Sequence, residues 1–239
     1  MKFSRSCKLR LFLLSLISFC VTGCVNVSVN TDGANQPGVP PGCEHDPNTG
    51  QVFCADACEK TYEHTVTVAR HQRLEGLNAD IASSILEEAQ RVAQDEEGFF
   101  ADDNVACKVS FRLAPGGLNE ITAQDDTVDN EEEYIALMQM PEWVKAVKTL
   151  YMCASGGQIR KWPVPISGCS TDYPYKLSIV TYNEQNPNSY NGILWLHEIG
   201  HTRGNVDIWE QGDNWVMYGA PTENSRKLTC RECARYLLP

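Results

Sequence analysis

The 239-residue sequence predicts an α/β domain, and three observations carry that class. Residues 64–69 (HTVTVA) alternate β-branched side chains as a half-buried strand does. Ile81, Ile85, Leu86, Ala89 and Val92 then recur at helical spacing. Three more short apolar runs, 107–113 (CKVSFRL), 148–154 (KTLYMCA) and 177–182 (LSIVTY), precede a second helical segment at 188–203. Strand, helix, strands, helix is the order of a sheet backed by helices.

Each element has a local reason. Asn78, Ala79 and Asp80 offer caps for the first helix, whose apolar stripe implies packing on the sheet. The acidic stretch 125–133 (DDTVDNEEE) reads as a solvated loop running into a helix, because it lacks the regular acid spacing and glycine of a calcium loop. Residues 188–203 (NSYNGILWLHEIGHTR) open on Asn or Ser, end on a cation and are followed by Gly204, the punctuation of a complete helix. No internal repeat is present.

Composition limits the function classes. With 42% hydrophobic and 21% charged residues the chain can bury a core, which excludes wholesale disorder, a collagenous repeat and a polytopic membrane protein. Its length suits one large domain with an appendage. The net charge is −11, and the first 23 residues hold four bases and no acid, so the remainder is more acidic still. Nucleic acid is a poor partner for such a surface.

The N-terminus reads as an address label. Basic residues, an apolar run over 11–21 and Val21-Thr22-Gly23-Cys24 make residues 1–23 a secretory signal peptide, too short in its apolar part to span a bilayer. The small residues before Cys24 resemble the lipobox of bacterial lipoproteins. That resemblance implies an acylated Cys24, a lipid bilayer as partner and a location at the cell envelope; Val25, in place of Asp, points to the outer rather than the inner membrane. Plain secretion with a free Cys24 is the alternative. Residues 24–42, rich in Asn, Gly and Pro, form a flexible tether, and 43–60 form a small Cys-bearing segment stapled to a main domain at 61–239.

Eight cysteines remain beyond Cys24: Cys43, Cys54, Cys58, Cys107, Cys153, Cys169, Cys230 and Cys233. An even number in an exported chain reads as a disulfide framework, with Cys153–Cys169 the favoured pair, closing the loop GGQIRKWPVPISG. The rival is a structural zinc site made of Cys54, Cys58, Cys230 and Cys233.

Chemistry concentrates in 197–207. His197 and His201 are four residues apart on one helix, so both imidazoles leave the same face and can share a metal ion, while Glu198 can take a proton from a water molecule held there. His197 to Asp207 reads HExxHxxGxxD, and Met217 follows ten residues later. This resembles the elongated zinc motif and Met-turn of the metzincin metallopeptidases. Gly204 fits physically, because the helix must stop and reverse there, a manoeuvre that favours positive φ. Asp207 stands where most metzincins have histidine, as in snapalysin-like enzymes, and Tyr218 is not assigned as a ligand. Asp213 and Glu223 are rival third ligands, Glu223 in the gluzincin manner.

The resemblance implies a twisted sheet of four or five strands, a long backing helix, an active-site helix and a small C-terminal lobe with a helix within 223–238. It further implies a single Zn²⁺ on His197, His201 and Asp207, with Glu198 as general base. The expected activity is endopeptidase cleavage of a protein or peptide substrate by a monomer. The alternatives are a non-catalytic surface binding lipoprotein with a structural metal and a hydrolase of cell-wall peptides.

Overall fold

The computed structural model describes residues 43–45, 52–54, 60–95, 105–122, 125–155, 157–171, 175–185, 188–209 and 212–238, all within the unit Pro37–Pro239. The expected signal segment, Cys24, the tether and Cys58 lie outside the described residues. Strands β1 (Cys43–His45) and β2 (Val52–Cys54) pair antiparallel, with Cys43 opposite Cys54.

Strand β3 (Tyr62–His71) extends the expected alternation at both ends and buries Val66 and Val68. A crossover through helix α1 (Ala79–Gln94) leads to β4 (Val109–Ile121), parallel to β3, since parallel neighbours need a connection of this length. Asn78 caps α1, its side chain accepting from the Ile81 amide at 3.0 Å. The stripe Ala82, Ile85, Leu86, Ala89 and Val92 is buried. The β3–β4 register breaks between Val66 and Val68, and residues 114–117 bulge outward where Gly116 and Gly117 adopt φ of 106° and 77°.

Strand β5 (Thr127–Val128) and helix α2 (Glu131–Met138) take up the acidic stretch, with Asn130 as cap. The run expected as a strand at 148–154 is β7 (Thr149–Ser155), in a second sheet, and the residues just before it form a further strand, β6 (Val144–Val147), in the main sheet. The loop expected to follow is instead β8 (Gln158–Ile166), antiparallel to β7 and an outer strand on which Pro163 and Pro165 are tolerated. Then come β9 (Gly168–Ser170), β10 (Ser178–Thr181), helix α3 (Ser189–Thr202) and helix α4 (Cys230–Tyr236), the last much shorter than 223–238.

The five-stranded sheet has the order β4-β3-β6-β10-β9, parallel except for β9, and the three-stranded sheet the order β5-β7-β8. One face of the larger sheet packs on α1 and α3 around Val66, Leu86, Val144 and Trp195. The other face packs Ala69, Val147 and Ile179 on α2 and the smaller sheet. Sheets covered on both sides favour parallel, apolar strands, and all four residues of β6 are buried.

Disulfides join Cys107 to Cys233 and Cys153 to Cys169. Cys230 is also disulfide-bonded. Cys230 and Cys233 therefore offer no thiolates, and the four-cysteine zinc site loses half of its ligands.

Candidate metal centre

Helix α3 is central in the fold, with residues 191–200 buried throughout, polar Asn191, His197 and Glu198 among them. That burial fixes the two imidazoles. His197 Nδ1 lies 2.7 Å from the Val216 carbonyl, and His201 Nδ1 lies 3.0 Å from the Asn205 carbonyl. A carbonyl only accepts, so a neutral ring held this way carries its hydrogen on Nδ1 and turns an Nε2 lone pair toward the cleft. The two Nε2 atoms are 3.0 Å apart.

The third group arrives through a turn. Gly204 takes φ +89°; its amide donates to the His201 carbonyl and that of Asn205 to the Gly200 carbonyl, the paired bonds of a Schellman cap. Three residues on, Asp207 Oδ1 lies 3.3 Å from His201 Nε2 and 3.6 Å from His197 Nε2. Among the described residues, these three form the one group of ligand atoms gathered within 4.8 Å of one another. Asp213 and Glu223 are exposed and stand outside it.

This triangle fits a small divalent cation. Zinc bound tetrahedrally at about 2.1 Å spaces its ligand atoms about 3.4 Å apart, and the three edges bracket that length. Three facing lone pairs repel one another unless positive charge lies between them. The surrounding charges favour such a charge: burial opposes it at His201, but the hydrogen bond to Asp207 and the fields of Glu198 and Asp207 prevail and raise that imidazole to about 9. Burial and the neighbouring His201 hold His197 down to about 3. The hydrogen bond with His201 keeps the Asp207 carboxylate low despite its partial burial.

Below the imidazoles, Trp215 to Tyr218 make a turn closed by the Tyr218 amide on the Trp215 carbonyl at 3.0 Å. Met217 is wholly buried, and its carbonyl accepts from the Ile208 amide at 2.8 Å, tying the turn to the segment that carries Asp207. Tyr218 stands against exposed Trp209, 5.5 Å between ring centroids, rather than among the three ligand atoms.

Glu198 leaves α3 toward β9. Its carboxylate is buried, pushed up to about 7 by that burial, and Oε2 accepts from the Ser170 hydroxyl at 2.5 Å. Three contributors escaped the sequence reading: Ser170, Gly168 and Gly200. A side chain at 168 would sit 2.5 Å from Glu198 Cδ, and one at 200 would sit 2.6 Å from Met217 Sδ and nearer still to the Tyr236 hydroxyl. Gly200 left a signal, since a glycine inside a helix costs about 1 kcal/mol and asks for a reason. Ser170 left none.

No family model matches the chain, and no curated protein does. Solved structures do. Mature mirolysin of Tannerella forsythia in complex with a cleaved peptide aligns at 11% identity and TM-score 0.49, covering 74% of this chain and 90% of that one. Archaemetzincin of Methanopyrus kandleri aligns at 15% and 0.44, covering 72% and 93%. Metalloproteinase-II of Bacteroides fragilis aligns at 14% and 0.42, covering 76% of this chain but 53% of its own length. At these identities the chemistry has to be read from this chain's own side chains.

Proposed function

We propose that the chain is a zinc-dependent endopeptidase. The observation that carries this reading is the convergence of His197 Nε2, His201 Nε2 and Asp207 Oδ1, with the Glu198 carboxylate buried beside the first ligand. Zinc held there supplies a Lewis acid for the scissile carbonyl and for the attacking water. Val216 and Asn205 keep the imidazoles oriented through their carbonyls. Glu198, buried beside the first ligand, takes the proton from the water and returns it to the leaving amine. A substrate strand can lie along β9, an edge strand of the five-stranded sheet among the described residues, pairing main chain to main chain.

A metal that only braced the fold would have no use for a proton-accepting carboxylate at its side, which weighs against a purely binding role. The N-terminal address label supports a bacterial envelope location through an acylated Cys24. The deciding experiment is Glu198→Ala: one bound zinc and the native fold should persist, while cleavage of a denatured protein falls by about 10²–10⁴-fold. Undiminished cleavage would overturn the mechanism. Purified peptidoglycan fragments as substrate separate the cell-wall alternative.

A further inference from the structure

Strand β9 is three residues long, Gly168-Cys169-Ser170, and side chains alternate across a strand. Cys169 faces the core shared with the smaller sheet, where it is bonded to Cys153. Gly168 and Ser170 face the other way, toward α3, and both meet Glu198. The Ser170 oxygen lies 2.5 Å from Glu198 Oε2 and 2.9 Å from the Glu198 carbonyl. Gly168 provides the space: a Cβ there would lie 2.5 Å from Glu198 Cδ and closer still to Oε1.

Building on the peptidase reading above, we infer that Ser170 is a positioning residue for the general base. Its hydroxyl fixes Oε2, Gly168 leaves room for the carboxylate beside the strand, and the disulfide on the opposite face holds the strand in place. A glutamate side chain has three rotatable bonds and several rotamers, and only some of them aim a carboxylate oxygen at water beside His197. Fixing one oxygen by a short hydrogen bond leaves the other to receive the proton, so the orientation is set before substrate arrives. In this role the Ser170 side chain acts through Glu198 and not directly on substrate or metal ligands.

The test compares Ser170→Ala, Ser170→Thr and Gly168→Ala in the zinc-loaded protein. Ser170→Ala should lower kcat by about 10–100-fold with KM within about twofold and zinc content unchanged. Ser170→Thr, which restores the hydroxyl, should recover most of the loss. Gly168→Ala, which pushes the carboxylate aside, should also lower kcat more than KM. A readout independent of activity is thermal unfolding of the zinc-free protein. There Ser170→Ala should lower Tm by roughly 2–4 °C in the native background and by clearly less when Glu198 is already Ala. An unchanged kcat in Ser170→Ala, or equal Tm shifts in both backgrounds, overturns the inference. If the native protein cleaves nothing, the peptidase reading fails on its own, and the Tm comparison still decides whether Ser170 holds Glu198.

Discussion

Gly200 lies between the two imidazole-bearing positions, inside a helix where alanine would ordinarily be the better residue by about 1 kcal/mol. Its environment reverses that preference. The Tyr236 hydroxyl donates to the Leu196 carbonyl at 2.7 Å and lies 3.6 Å from Met217 Sδ, and both groups fill the space a methyl would need. Gly200→Ala should therefore destabilise the protein by about 1–3 kcal/mol, the range for overpacking a tight core. Calorimetry of the zinc-free protein checks the sign, and a Tm that rises would show that Tyr236 can move aside. The position was visible in the sequence as part of HEIGH, but its necessity was not, because Tyr236 and Met217 approach from 36 and 17 residues away.

At the scale of elements, the hairpin of β7 and β8 is joined to the strand beside Glu198 by Cys153–Cys169, a bond closing a segment of sequence separation 16. Chain entropy assigns a loop of this size about 3 kcal/mol. Replacing both cysteines with alanine should cost roughly that much stability. Hydrogen exchange should quicken at 168–170 while the buried amides of α1 keep their protection, since α1 packs on the opposite face of the sheet. Equal loss of protection in both elements would contradict this local role. Helix α1 illustrates what short-range pattern can specify, because its cap and stripe lie within 17 residues of each other. Strand β8 illustrates the reverse: Pro163 and Pro165 in an exposed run read as a loop, and only pairing with β7 makes it a strand.

For the whole molecule, His64 links stability to pH. It is buried between Phe111 and Trp143, with Nε2 2.6 Å from the Tyr236 carbonyl, so it ties the first strand of the main sheet to the last helix. Burial lowers it to about 4, aided by the charges of Arg203 and Lys176 and opposed by that hydrogen bond. The unfolded chain binds this proton near pH 6.5 and the folded chain only near 4. Between those values the unfolded state carries more protons, so stability falls as pH drops through the window and levels off below it. The full effect is roughly 3 kcal/mol. Denaturant unfolding at pH 4 and pH 7 should show this drop, reduced in His64→Gln; an identical drop in the variant would assign the pH dependence to other groups. By itself the sequence determined the α/β class, helix α1 and the placing of His197 and His201 on one helical face, because each rests on spacing within a turn or on caps a few residues away. Only the tertiary structure decided that β7 and β8 form a separate sheet, that Cys107 meets Cys233, and that Ser170 and Gly168 close around Glu198. These meetings are made by strand pairing and core packing between distant segments, where local spacing carries no record of the partner.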